Sequence, residues 1–302
     1  MKSSDYPETR ELLNPSLMAG FEDLELIARW VVEGFLHGLH RSPYVGFSVE
    51  FASHRQYLPG DDLRHLNWKL YGRHDKLYVK QYDAETNVEV HLVQDVSRSM
   101  TAGEGALSKF RYGTMLAAAI AHLAAGQRDA VGLTLFADHI VAHLRARGSP
   151  DHRMEILQTL SNTREHPPAE TSRILHEVAE LMPRRGMIIL ISDLYFTDED
   201  LFSALSHFRH FGHDVLVFHL LTPLERGLDV DGSVRFRDME TGEQITTQSH
   251  EIRNSFVQAV ATWQSDLKTG CLARDIEYVQ LQTDTPLERA LYDYLVRRTH
   301  LY

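Results

Sequence analysis

The sequence predicts an α/β fold, an open and mainly parallel sheet flanked by helices, with a small α+β region ahead of it. Three observations predict it. Val88, Val90, Leu92 and Val93 make one apolar run and Met187 to Ile191 another, and each run leads into an acid, Asp95 or Asp193. Short apolar runs of this kind are buried strands, the type that a sheet covered by helices contains. Helical and extended patterns then alternate along most of the remaining chain, as crossover units require. Finally, Phe110 to Leu123 is a strong helix former rich in alanine, whose small residues allow close packing on a sheet.

In order, residues 1–20 are polar, contain Pro7 and Pro15, and read as a loosely ordered arm. Leu24, Ile27, Val31, Phe35 and Leu39 recur at helical spacing, so 21–39 is an amphipathic helix. Gly46 to His54 alternates as a half-buried strand. Pro59-Gly60 suits a type II turn, because proline presets the first φ and glycine accepts the positive second one. Asp61 or Asp62 then caps a short helix carrying Leu63, Leu66 and Trp68. A strand at 77–82 cannot join the central strand, so it pairs with 47–53 in an accessory sheet, with the first helix packed nearby. The expected division is 1–85 for arm, helix and accessory sheet, and 86–302 for the α/β body.

Within that body, Ala130–Phe136 is a strand and Ile140–Leu144 a shorter one returning antiparallel at the edge. Met154–Leu160 forms a short helix, and the polar loop 161–171 leads into a helix at 172–181. Beyond the strand at 187–191 come a helix at 198–211 and a strand at 214–220. A hairpin inserted at about 230–247 precedes a helix at 250–269, a strand at 276–281 and a helix at 286–298 with proline in its first turn. The histidines at 207, 210, 213 and 219 are read as solvent-facing, because their spacing spreads them and no cysteine joins them.

Composition narrows the function. A net charge of −11 over 302 residues disfavours nucleic-acid and anionic-membrane partners. One cysteine, Cys271, excludes an internal disulfide. No run approaches the roughly 18 apolar residues of a membrane span, and the N-terminus lacks the apolar core of a signal peptide, so a cytoplasmic protein is expected. Walker, nucleophile-elbow and His-Glu-x-x-His motifs are absent from the sequence.

The chemistry concentrates at Asp95-Val-Ser97-Arg-Ser99. An extended chain points residues two apart the same way, so one carboxylate and two hydroxyls converge. Hard oxygen donors suit Mg²⁺ or Mn²⁺, whereas zinc prefers His or Cys. The pattern resembles the metal-ion-dependent adhesion site of von Willebrand factor type A domains. That resemblance implies Asp193 as the last acid of the site and a hydroxyl from the loop before 172. Thr171 stands at that place and is equally a helix N-cap, with Thr163 as the other candidate.

A longer resemblance runs through Arg55-x-Tyr57-x-Pro59-Gly60-Asp61-Asp62-x-Arg64, Asn67-Trp68-Lys69, Leu77-Tyr-Val79-Lys80 and Asp95-x-Ser97-x-Ser99-Met100. These resemble, in order, bacterial domain-of-unknown-function proteins found beside MoxR-type AAA+ ATPases, with Asn67 standing where relatives commonly carry Asp. The resemblance implies a von Willebrand A-like body, a MoxR-type ATPase as partner and no established enzymatic activity. With the alternating pattern, it also implies sheet order 3-2-1-4-5-6. The arginines 55 and 64 fork onto the aspartates as a structural lock, or else Arg55, Arg64, Lys69 and Arg73 belong to a basic partner face, since residues 53–80 carry six cations against three aspartates.

The expected function is therefore a non-enzymatic, metal-dependent adaptor that works with the ATPase in protein assembly or remodelling, a client carboxylate completing the metal. The rival is a metal-dependent hydrolase.

Overall fold

The structure, a computed structural model, describes residues 14–41, 54–56, 78–80, 88–104, 107–166, 171–196, 198–237 and 244–299. The chain forms two compact units, Met1–His37 with Val88–Tyr302, and Gly38–Asn87. Helix α1 (Leu24–Arg41) buries Leu24, Ile27, Val31 and Phe35, the stripe its periodicity marks. Its residues up to His37 belong to the first unit, not with the accessory strands where the sequence put them. In the second unit, β1 (His54–Gln56) pairs antiparallel with β2 (Tyr78–Lys80), with Arg55 opposite Val79. The pairing thus falls at 54–56; residues 47–53 and the turn motif at 57–69 lie outside the described residues.

The body is a six-stranded sheet built around β3 (Glu89–Asp95). Helix α2 (Lys109–Gly126) follows, then β4 (Ala130–Phe136) and β5 (Ile140–Arg147). Next come α3 (Pro150–Asn162), α4 (Thr171–Glu180), β6 (Met187–Ser192), α5 (Asp198–His210) and β7 (Asp214–Leu221). The short α6 (Pro223–Gly227), the antiparallel pair β8 (Ser233–Arg237) and β9 (Gln244–Gln248), and α7 (Ser249–Leu272) lead to β10 (Glu277–Gln282) and α8 (Leu287–Thr299). The strand order is β10-β7-β6-β3-β4-β5. Numbered along the sheet's own strands, this is 3-2-1-4-5-6, with β3 central and β5 the antiparallel edge. This is the order that the von Willebrand A resemblance implies.

Helix α3 and strand β5 both run longer than their sequence patterns. Helix α3 starts at Pro150 because the Ser149 hydroxyl accepts from the His152 amide at 3.3 Å, with proline preset at the first position. Strand β5 reaches Arg147 through register shifts against β4. There Gly132 is required, since a Cβ would stand 3.0 Å from the Leu144 carbonyl and the Ala146 amide.

Both sheet faces are covered. Val93, Ile188, Leu190, Val215 and Val217 meet Leu175, Val178, Leu201, Leu205, Phe208 and Leu267 from α4, α5 and α7. On the other face α2 lies centrally, burying 13 of its residues. Met115, Leu116, Ile120 and Leu123 contribute about 1.5 to 3 kcal/mol each by burial. A Cβ on Gly113 would stand 3.2 Å from Ile191, so the helix comes close enough to the sheet to lock strand and helix together.

Candidate metal centre

Parallel pairing of β3 with β6 brings their C-terminal ends side by side where the sheet order reverses, the crevice in which open α/β sheets bind ligands. Asp95 ends β3 and Asp193 follows β6, and both are buried. Asp95 is held at both oxygens. Its Oδ1 accepts from the Ser97 amide at 2.9 Å, and its Oδ2 accepts from the Ser192 hydroxyl at 2.7 Å. The Ser192 oxygen in turn accepts from the Leu194 amide at 3.0 Å, across a turn that places Leu194 at φ 56°. A buried leucine in that region is strained by roughly 1 to 3 kcal/mol, which the surrounding hydrogen bonds and packing hold in place.

The hydroxyls of Ser97 and Ser99 lie 3.0 Å apart. Ser97 is buried, Ser99 is half-buried and Arg98 is exposed, so this loop forms the open side of the site. The loop before α4 runs beside it, with the His166 amide donating to the Val96 carbonyl at 2.9 Å and His166 bridging to Ser97. The Thr171 backbone opens α4 a few residues further on; its side chain is outside the described residues. The Thr163 hydroxyl donates to the Thr159 carbonyl at 2.6 Å, engaged within its own helix end. Of the basic face, Arg55 lies on β1 with its side chain undescribed, and Arg64, Lys69 and Arg73 lie outside the described residues.

The sequence reading missed three participants. Lys109, the first residue of α2, is fully buried, and its Nζ donates to Asp193 Oδ2 at 2.9 Å and Glu225 Oε1 at 2.6 Å. It also lies 4.7 Å from the centre of the Tyr195 ring. Glu225 is fixed by a capping box on α6, its Oε2 accepting from the Thr222 amide at 2.7 Å while its own amide donates to the Thr222 hydroxyl. Ser192 is the third. One signal pointed to Lys109: a lysine beginning a helix opposes the helix dipole and calls for a carboxylate.

Electrostatics follow from this burial. Burial, then the neighbouring Asp193, push the Asp95 carboxyl up to about 7, against the hydrogen bonds from Ser97 and Ser192. Burial also works against the Lys109 charge, yet Asp193 and Glu225 together hold its pKa above the ordinary lysine value. Behind them Tyr195 stacks on Trp263 at 5.4 Å, and His219 meets Trp263 edge-on and the Tyr278 hydroxyl at 2.5 Å. His219 and His213 are fully buried, which corrects their reading as solvent-facing. Between strands and helices each ring finds partners, His213 accepting from the Gly186 amide and donating to the Met182 carbonyl.

A hard divalent cation fits this donor set. Every candidate ligand is oxygen, the two carboxylates repel one another, and Asp193 Oδ1 is buried without a hydrogen-bond partner. Among the described residues no three His, Cys, Asp or Glu side chains cluster as a metal cage, so hydroxyls and water would have to share the coordination.

The family described as "Protein of unknown function DUF58" matches residues 53–266. The chain belongs to this family. Relatives of the DUF58 chain include uncharacterized proteins of Mycobacterium tuberculosis and Mycobacterium bovis, each 27% identical over 277 residues, 90% of this chain and 86% of theirs. Similar solved structures include BatB from Bacteroides thetaiotaomicron, 18% identical with a TM-score of 0.48 over 70% of this chain and 99% of that one. Another is the SpRpn10 VWA domain, 10% identical with a TM-score of 0.40 over 69% and 95%. No helix among the described residues is long and apolar enough to cross a membrane.

Proposed function

We propose that this DUF58 protein is a non-enzymatic, metal-dependent protein-interaction module. One observation carries the reading: Asp95, Ser97 and Ser99 gather with the half-unpartnered Asp193 at the sheet's switch point, two buried acids that lack a full counter-charge. Asp95, Ser97 and Ser99 would hold Mg²⁺ or Mn²⁺ with Asp193 beside them, and Thr171 is the proposed loop ligand. When bound, the ion supplies a positive charge with open coordination positions.

The chain's own residues prepare that edge for an acidic group. Ser97 and Ser192 keep the Asp95 carboxylate in one orientation, and exposed Arg98 adds positive charge at the rim. A client protein's Asp or Glu is thus the proposed ligand. The proposed co-worker is a MoxR-type AAA+ ATPase in the cytoplasm, supported by the Pro59-Gly60-Asp61-Asp62 resemblance and the family match, with Arg55, Arg64, Lys69 and Arg73 as its candidate contact face.

Calorimetry with MnCl₂ and capture of a MoxR-type ATPase or its client, with and without EDTA, test the reading. Asp95→Ala should abolish Mn²⁺ binding and weaken metal-dependent capture by about 2 to 5 kcal/mol, the loss of one charge-assisted contact. Equal Mn²⁺ affinity in wild type and variant would refute the metal site, and capture undiminished by EDTA would move the interface to the basic face.

A further inference from the structure

We infer that Lys109 is an internal cation that competes with the divalent ion for Asp193 and so sets the resting affinity of the metal site. The inference rests on the metal-dependent reading above. The lysine side chain is wholly buried and its ammonium spans Asp193 and Glu225 at 2.9 and 2.6 Å. Nothing in α2 requires a cation at that place, since the first turn of a helix favours acids. Its position is explained by the pocket: two carboxylates, Asp193 and Glu225, hold one ammonium that Tyr195 covers from one side, and Asp95 lies close enough to Asp193 for the two acids to repel.

The consequence falls on Asp193. Its Oδ2 is engaged by Lys109, while its buried Oδ1 has no partner. A divalent ion approaching Asp193 therefore meets a carboxylate already half neutralised, with a positive charge held directly behind it. In a buried setting that repulsion is only weakly screened. Lys109 thus lets the acidic pocket fold without metal and keeps the ion exchangeable. A client carboxylate that adds negative charge on the open side favours ion retention, so client and metal bind with positive linkage.

The test is calorimetric titration of MnCl₂ into four full-length proteins: wild type, Lys109→Met, the double variant Lys109→Met/Glu225→Gln, and Lys109→Met/Asp95→Ala. Methionine keeps the length of the side chain without its charge. Lys109→Met should bind Mn²⁺ about tenfold more tightly or better. The double variant has the same formal charge around the pocket as wild type, and it should retain a gain because Asp193 is released in it. The variant that also lacks Asp95 should lose binding. Thermal melts with and without Mn²⁺ give a second readout, with a larger metal-induced rise in Tm for Lys109→Met than for wild type. If Lys109→Met does not fold, the double variant carries the test, since it leaves no additional unpaired charge. Wild-type binding with equal or weaker affinity in Lys109→Met, or in Lys109→Met/Glu225→Gln where the single variant does not fold, overturns the inference and leaves the metal site standing. No binding by any of the four proteins overturns both.

Discussion

Asp95 is buried beside a second acid, and this has a measurable signature in the metal-free protein. Its folded pKa, about 7, stands above the ordinary aspartate value of about 4, so the folded state retains a proton that the unfolded chain releases. Stability from this group is fully present below pH 4 and is lost as pH rises through 7. Asp95→Asn, which mimics the protonated acid, should therefore gain stability relative to wild type on going from pH 5 to pH 8 in EDTA. The gain should be on the order of 1 to 3 kcal/mol, measured by urea unfolding. A difference that stays constant across that range would show that Asp95 is not the titrating group.

Helix α8 is fastened to the sheet by a fork of Arg298 on Asp129, beside the longer Arg297–Asp214 pair at 3.6 Å. Arg298 Nε donates to Asp129 Oδ2 at 2.7 Å and its second nitrogen to Oδ1 at 2.9 Å, while the Val88 amide reaches the same carboxylate at 3.3 Å. Asp129 is fully buried at the turn entering β4, and burial raises its pKa in spite of Arg298. The pair thus matters less for what it adds than for what its loss leaves behind. Arg298→Ala should destabilise the protein by about 3 to 5 kcal/mol, because a buried carboxylate then has no countercharge. Arg298→Met with Asp129→Asn should recover much of that loss, and Arg298→Lys only part of it, since an ammonium cannot fork. Chemical denaturation of the three variants decides it; a near-neutral Arg298→Ala would mean that Asp129 is protonated or solvated in the fold. Elsewhere α7 relies on fit: a Cβ on Gly270 would stand 2.1 Å from the Phe202 ring, so that glycine admits the aromatic side chain of α5.

Across the whole body, buried histidines oppose the Asp95 effect. Burial lowers His91 to about 4 and His219 to about 3, and it lowers His213 as well. Each is neutral in the fold but takes up a proton near pH 6.5 when unfolded. Their contribution is fully present above pH 6.5 and is lost as pH falls toward 4. In the Asp95→Asn background, where the opposing acid is removed, Tm should fall steadily from pH 7 to pH 5. His91→Phe in that background should flatten the slope, since His91 Nε2 makes no hydrogen bond that phenylalanine would forfeit. An unchanged slope would remove His91 from the titration.

The strands and the acids that follow them were readable in the chain because periodicity and composition are local, whereas the strand order and the pairing of Asp95 with Asp193 needed the family resemblance as well. Met187 to Ile191 has no polar position to turn outward, so it must be covered on both faces, and β6 is. Asp95, Ser97 and Ser99 share one short stretch, and their convergence follows from extended geometry. The histidines at 213 and 219 were misread since burial depends on what other elements deliver: Met182 and Gly186 satisfy one, Tyr278 and Trp263 enclose the other. Lys109 drew no reading from the sequence because its partners lie 84 and 116 residues away. Leu194 carries no residue preference for a positive φ, and its turn is imposed by the Ser192 hydroxyl and the burial of its own side chain. Local pattern determined which segments become strands and where acids end them. Only the tertiary structure decided which charge stands against those acids, because a buried ion pair is made by chain segments distant in sequence whose meeting is fixed by packing.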